Sequence, residues 1–235
     1  MSDVVRIGLV AEGPTDAIVI RSAIQAILGH DRFTLQLLQP DDSDAFIGGF
    51  GPHGGGWKGV GRWCLQAVER NGPGGLCGDL LFGQHDLLIV HLDADVAGER
   101  PTPECGLTGL PCERPCPPAS ATTDALRDVL LQWLGLGETG LPEKTVFCIP
   151  SKSTEAWVMK AFFPTDCEMA RRGQECHPKP EDRLGQQPKK KRFAKTRSEY
   201  REREPKLVTA WPLITQRLGE ARRFQTDFEV ALATL

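Results

Sequence analysis

Five acidic residues stand just after short apolar runs of the sequence, or within a helical turn of such a position. They are Glu12, Asp16, Asp93, Asp95 and Glu155. In open α/β sheets, ligands bind beyond the carboxyl ends of the strands, so acids in these positions can converge on one rim. Grouped carboxylates repel one another unless a cation neutralises them, and hard oxygen ligands favour Mg²⁺ or Mn²⁺. Such a site fits metal-assisted attack on a phosphodiester, with the metal polarising the phosphate and activating water.

The elements that must position these acids alternate between strand and helix. The apolar run from Val4 to Ala11 predicts a buried parallel strand, and Pro14 suits the first turn of the helix that follows. The remaining apolar patterns predict strands at 33–38, 86–92 and 145–149, and helices at 60–70, 123–134 and 154–162. This order predicts an α/β fold in which helices and right-handed crossovers flank a mostly parallel sheet.

Each acidic motif also has a simpler interpretation when it is taken alone. Asp93-Ala94-Asp95 after a strand can be a turn or a helix cap, and the segment from Glu12 to Asp16 can simply cap a helix. Glu155 can be a surface residue of a helix. The ordered combination of the three motifs favours a functional site over these separate structural roles.

The combination resembles the Toprim signature, in which a strand ends in Glu-Gly and a later strand ends in Asp-x-Asp. Glu12-Gly13 and Asp93-Ala94-Asp95 match these two motifs. The extra acid at Asp16 looks more like the OLD-like and RloB-like nuclease branch than like topoisomerases, and the segment 149–157 also resembles that branch. The resemblance covers roughly residues 4–162 and implies a Toprim-like catalytic domain over residues 1–163.

The resemblance also implies roles for the acids and a reaction. It implies that Glu12, Asp93 and Asp95 act as metal ligands or acid/base groups, with Asp16 and Glu155 supporting a second metal. The implied activity is that of a metal-dependent nuclease, with DNA as the expected substrate. Relatives in this branch often work beside an ATPase in bacterial defence against phage, so an ATPase from a neighbouring gene is an implied partner. The alternatives are a primase-like nucleotidyl transferase and a non-catalytic module that binds nucleic acid or forms complexes.

Residues 164–235 form a basic, partly helical extension that we expect to pack on the same domain. Between His177 and Lys206 there are eleven basic and five acidic residues, in a chain whose formal net charge is -3. This local excess fits a phosphate-binding surface or a solvated linker, and the candidates for phosphate contact are Lys189, Lys190, Lys191 and Arg192. Lys195 and Lys152 are candidates to reach the acids and stabilise phosphate charge. Predicted helices at 206–218 and 221–232 can cover the sheet or form a homodimer face.

A glycine-rich segment at 48–61 leads into the predicted helix at 60–70. It lacks the Gly-Lys-Ser/Thr ending of a nucleotide P-loop. Lys58 and Arg62 can contact nucleic-acid phosphates from this segment, although a plain flexible loop explains its composition equally well.

Three of the eight cysteines, Cys105, Cys112 and Cys116, cluster in an irregular insertion at 96–121, which is also rich in proline and glycine. No apolar run approaches the length of a membrane span, and residues 4–10 do not form a signal-peptide pattern, so we expect a cytosolic protein. Cysteines in a reducing compartment are expected to be thiols or metal ligands rather than disulfides. A structural Zn²⁺ site is therefore one interpretation of Cys105, Cys112, Cys116 and Cys176.

Overall fold

A four-stranded parallel sheet forms the centre of the computed structural model. The structure describes residues 4–41, 52–100, 107, 109–137, 140–189, 191–192 and 194–235. The strands are β1 (Val5–Val10), β2 (Phe33–Gln39), β3 (Leu87–His91) and β4 (Thr145–Cys148). Their spatial order is β2-β1-β3-β4, and each neighbouring pair is parallel. The predicted α/β fold with a parallel sheet is therefore confirmed.

Nine α-helices occur in the described residues, and all of the helices predicted from the sequence are among them. They are α1 (Pro14–Leu28), α2 (Gly56–Asn71), α3 (Leu81–Gln84), α4 (Ser120–Trp133), α5 (Glu155–Phe162), α6 (Cys167–Arg171), α7 (Pro180–Gly185), α8 (Arg197–Arg217) and α9 (Gly219–Leu232). Pro14 occupies the first turn of α1, as predicted. Within the described ranges, no helix is long and apolar enough to cross a membrane.

The sheet is covered on both faces, and side chains alternate between the two cores along each strand. Leu87 and Ile89 point into a core that contains side chains of α1, α5, α8 and α9. Leu88 and Val90 point into the opposite core, which contains side chains of α2 and α4. The connection from β1 to β2 runs through α1 on one face of the sheet, and the connections to β3 and β4 run through α2 and α4 on the other face. Right-handed crossovers require this change of face when the chain reverses its direction along the sheet.

The direction of the chain along the sheet reverses between β1 and β3. After β1 the chain moves outward to β2, and it then returns to the other side of β1 to form β3 and later β4. A crevice opens beyond the carboxyl ends of adjacent strands at such a reversal, and it is the usual ligand position in open α/β sheets. Glu12 follows β1 and Asp93 follows β3, so the sheet topology places both acids at this crevice.

Helix α8 begins earlier than the sequence pattern indicates. We predicted a helix only from residue 206, because residues 164–205 are polar, basic and rich in proline. Helix α8 instead begins at Arg197 and passes through both Pro205 and Pro212, although proline disfavours a helix interior. Thr196 caps its first turn by accepting a hydrogen bond from the Glu199 amide at 3.4 Å. The buried side chains Tyr200, Leu207, Trp211 and Ile214 then follow one helical face across Pro205, so tertiary packing outweighs the lost backbone hydrogen bond.

Aromatic packing fixes α8 over α5. The Trp157 ring of α5 meets the Trp211 ring of α8 edge-on, with the ring centroids 5.2 Å apart, and stacks on Phe224 of α9 at 6.0 Å. Each such pair adds about 0.5–1.5 kcal/mol beyond the burial of its apolar area. Trp157 lies two residues after Glu155 on α5, so the same packing brings α8 close to Glu155.

The cysteine prediction needs a correction. Cys116 and Cys176 form a disulfide with their Cα atoms 5.4 Å apart, joining the segment before α4 to the segment after α6. Bonded to each other, the two sulfur atoms are not available as the zinc thiolates that we predicted, and the expectation of no disulfide is wrong. Cys112 is an exposed free thiol, and Cys105 lies outside the described residues.

Candidate metal centre

Glu12 and Asp93 are joined directly at the ends of their strands. The Asp93 amide donates a hydrogen bond of 2.7 Å to Glu12 Oε1. The Gly56 amide at the start of α2 donates to the Glu12 carbonyl oxygen at 2.9 Å, so the end of the glycine-rich segment borders the same place. These two bonds hold Glu12 between β3 and α2.

Thr154, in the turn between β4 and α5, connects two further acids. Its hydroxyl donates to Asp16 Oδ1 at 2.7 Å, and its amide donates to Asp93 Oδ1 at 3.2 Å. Thr154 is fully buried. A single residue of this turn therefore sets the positions of the α1 acid and the β3 acid relative to each other.

His91 is a site residue that sequence reasoning missed. Its Nε2 lies 3.0 Å from Asp93 Oδ1, and the residue is completely buried on β3. The available signal was its position, since a histidine in the otherwise apolar run 87–92 must find a polar partner when it is buried. Among the described residues, its Nδ1 has no hydrogen-bond partner.

Glu155 is buried beneath the start of α8. Its Oε1 accepts a hydrogen bond of 3.1 Å from the Tyr200 hydroxyl and lies 3.0 Å from Lys195 Nζ. Only 1% of its side chain is exposed, and in the described part of the chain its Oε2 has no hydrogen-bond partner. The predicted role of Lys195 near the acids thus agrees with its position, whereas the Tyr200 contact was missed.

Burial and mutual repulsion dominate the electrostatics of these acids. Burial, followed by repulsion from Asp93, raises the pKa of Glu12 well above its usual value. Burial, followed by the charges of Asp16 and Glu155, does the same to the pKa of Asp93. Burial also raises the pKa of Asp16. Asp95 stands at the exposed rim, where desolvation and the charge of Glu181 raise its pKa to about 6.

The Glu155 carboxylate is the exception, because it has a cation partner. Burial raises its pKa, but the charge of Lys195 and the hydrogen bonds that Glu155 accepts together outweigh this effect and leave the pKa below its usual value. The pKa of Lys195 moves upward in turn, since its partial burial is outweighed by its attraction to Glu155 together with the charges of Asp16 and Asp93. Both groups are therefore ionised at neutral pH.

The buried groups are arranged so that they can hold a metal ion. One ligand atom from each of Asp16, His91 and Asp93 lies within 4.8 Å of the other two. The hydrogen bonds from Thr154 and His91 use the Oδ1 atoms of Asp16 and Asp93, which leaves the Oδ2 atoms as candidate metal ligands. These acids line an open pocket of about 440 Å³ together with Glu12, Asp95 and Lys195. We call Glu12, Asp16, Asp93, Asp95 and Glu155 the carboxylate cluster.

Lys152 makes a different contact from the one predicted. Its side chain pairs with Glu113 of the 96–121 segment, while its carbonyl oxygen accepts a hydrogen bond from the Asp95 amide at 3.0 Å. Its φ of 70° is rare for a residue with a side chain, so the turn before α5 is held in a strained conformation. Lys152 thus supports the backbone at Asp95, and its ammonium group faces Glu113.

The residues predicted to bind nucleic acid lie in two segments that are distant in sequence. The Lys58 ammonium lies 5.5 Å from the centre of the Trp57 ring, and Arg62 donates to the His53 carbonyl oxygen at 2.9 Å. Lys189, Lys191 and Arg192 are exposed beyond α7, and Lys190 lies outside the described residues. No described hydrogen bond or ion pair connects any of them to the carboxylate cluster, so their contact with nucleic acid stays a prediction.

Comparison with known proteins gives no relative of this chain. No protein-family model, curated protein or solved structure matches it.

Proposed function

We propose that the chain is a Toprim-like, metal-dependent phosphodiesterase that cleaves nucleic acid. The observation that carries the proposal is the convergence of Glu12, Asp16 and Asp93 at the point where the sheet reverses direction. The pKa values of all three carboxyl groups are raised by burial and by neighbouring charges. A divalent cation removes this repulsion, and a cluster of buried acids without one is costly for the folded protein.

The donor set fits a hard divalent cation. Asp16 and Asp93 would hold it through the oxygens not engaged by Thr154 and His91, with Glu12 beside them. Glu155, whose Oε2 has no described hydrogen-bond partner, would support a second ion. When bound, Mg²⁺ or Mn²⁺ supplies polarisation of the phosphate and activation of a water molecule. His91 and Thr154 keep the Asp93 carboxylate in one orientation, in the way that outer hydrogen bonds orient metal ligands.

Lys195 contributes positive charge at the mouth of the pocket. Its side chain is 60% exposed, although its ammonium group is paired with Glu155. A phosphate in the pocket can therefore contact Lys195, which stabilises the negative charge that develops during cleavage. We expect Lys195→Ala to lower the cleavage rate by about 10²–10³-fold, a loss typical of removing one such donor. Lys195→Arg should retain more activity because it keeps the charge.

The proposal is tested with purified protein and supercoiled plasmid in Mg²⁺, Mn²⁺ or EDTA. We expect metal-dependent nicking that is lost in Glu12→Gln and in Asp93→Asn. Asp227→Asn is the matched control, because this acid pairs with Arg127 on the surface and has no described contact with the cluster. Nicking that survives in the two cluster variants would contradict the assigned site.

The same proteins separate cleavage from nucleotidyl transfer. Incorporation of labelled nucleotides without strand scission would replace the nuclease proposal by a transferase that uses the same acids.

The similarity to the OLD-like and RloB-like branch extends the proposal to an ATPase partner, so the plasmid assay is repeated with the ATPase encoded nearest to this gene.

A further inference from the structure

A second groove borders the carboxylate cluster on the side of the edge strand β2. Its floor is apolar and consists of Leu35 and Leu37 of β2 together with Ala17 and Ile18 of α1. The two leucines point to the same face because they are two residues apart on a strand. The groove has a volume of about 220 Å³. This is below the range of about 300–1,000 Å³ that is typical of pockets for drug-sized ligands, so it suits a single ring system.

The rim of this groove is basic. Arg21 of α1 and Arg197 and Arg201 of α8 line it, with Glu204 as the one acid among its lining residues. The Arg21 guanidinium lies 3.6 Å from Glu204, and Arg197 and Arg201 bring two further guanidinium groups to the rim. Arginine is well suited to phosphate because its planar fork can donate two parallel hydrogen bonds to phosphate oxygens.

The groove and the carboxylate cluster are adjacent. Pro14 lines both of them. The first turn of α1 supplies Asp16 to the cluster and Ala17 to the groove. In the same way, near the start of α8, Tyr200 donates a hydrogen bond to Glu155 and Arg201 lines the groove. The arginine rim therefore lies beside the cluster.

From this arrangement we propose that the groove binds one unpaired nucleoside, with its phosphate on the arginine rim, next to the phosphodiester at the carboxylate cluster. The apolar floor contacts the face of the base and the rim contacts the backbone. A base can lie in the groove only after it leaves the stack of a duplex, so the substrate is single-stranded nucleic acid or an unpaired region of a duplex. This inference rests on the proposed function of the cluster, to which it adds the substrate class.

The test measures binding of a fluorescent single-stranded oligonucleotide and of the matching blunt duplex, with Ca²⁺ in place of Mg²⁺. The groove is altered in two ways: Arg201→Glu reverses a rim charge, and Ala17→Leu fills the floor with a helix-forming side chain. Arg222→Glu is the control, since Arg222 lines a separate pocket between α1, α8 and α9. Thermal unfolding of each variant confirms that it is folded.

We expect the wild-type protein to bind the single strand more tightly than the duplex. Each groove variant should weaken single-strand binding by about 10-fold or more, which is typical of losing one charge-assisted contact. The control should change binding less than about 3-fold, because salt screens a surface charge that is distant from the groove. Equal affinities for the wild type and both groove variants, or no single-strand binding at all, would overturn the inference. Hydrolysis of bis(p-nitrophenyl) phosphate by the wild type reports on the cluster separately, so failure of the proposed function is distinguishable from failure of the groove.

Discussion

Asp93→Asn is expected to stabilise the metal-free protein while it removes the metal response. The asparagine keeps Oδ1 as the acceptor for Thr154 and for His91, so the local hydrogen bonds can persist. What disappears is one negative charge in a buried site that also contains Asp16 and Glu12. Removing a buried group usually destabilises a protein, so a gain in stability would be diagnostic of repulsion.

The size of the effect follows from the geometry. Ligand oxygens of Asp16 and Asp93 lie within 4.8 Å of each other. At that distance, with an effective dielectric constant of about 20, two full charges repel by about 3.5 kcal/mol. Proton uptake already relieves part of this repulsion, because the pKa values of both acids are raised. We therefore expect a gain of about 1–2 kcal/mol in the free energy of unfolding, which corresponds to a Tm increase of about 2–8 °C for a chain of this size.

The assay is thermal unfolding followed by circular dichroism at neutral pH, in EDTA and then with Mg²⁺ or Mn²⁺. A metal at 100 times its Kd stabilises the wild-type protein by about 2.7 kcal/mol, and Asp93→Asn should lose most of this gain. Asp227→Asn, the surface control, should gain nothing in EDTA because it loses its ion pair with Arg127, and it should keep the full metal response. A lower stability of Asp93→Asn in EDTA, combined with an unreduced metal response, would refute the view of the site as a charge cluster that a cation neutralises.

Three further predictions concern the surroundings of the cluster. Tyr200→Phe removes the hydroxyl that donates to buried Glu155, so urea titration should show a loss of about 1–3 kcal/mol; an unchanged midpoint would mean that this bond contributes nothing. In Gly59→Ala the added Cβ would overlap the Gly54 carbonyl oxygen at the start of α2, so it should cost about 1–3 kcal/mol, whereas Gly83→Ala meets no atom within 4 Å and serves as the control. The third prediction is that, in EDTA, the wild-type Tm falls as pH rises from about 5 to 8. Folding raises the pKa values of four cluster acids, so over this range the folded protein binds more protons than the unfolded chain. The free energy of unfolding therefore falls as the pH rises through the raised pKa values and these protons are lost. A Tm that rises over this range, or a fall that saturating Mg²⁺ does not reduce, would contradict it.

The strands and the acids after them could be predicted because they depend on local patterns. Continuous apolar runs identify buried parallel strands, and the predicted bounds of all four strands agree with the structure to within one or two residues. The meeting of Glu12 with Asp93 then follows from strand order. That order itself was only assumed in advance, since pairing between strands distant in sequence leaves no local signal.

The contacts from the C-terminal half of the chain could not be predicted from local patterns. Pro205 and the many charges around it hide the helical periodicity of α8, so Tyr200 was assigned to an irregular segment. His91 gives no signal of its partner, because one polar residue within an apolar strand is compatible with many environments. The Cys116–Cys176 disulfide was missed for another reason, since our inference about the cellular compartment had excluded it.

The closure of Glu155 by Lys195 and Tyr200 has a consequence for the chain during its synthesis. Domains fold as units, and N-terminal parts emerge from the ribosome first. All four strands and every acid of the cluster emerge before residue 195, whereas the lysine and the tyrosine that bind Glu155 come later. A nascent chain therefore carries the acids without the cation that balances Glu155. The surroundings of Glu155 are therefore completed only after residue 200 has left the ribosome.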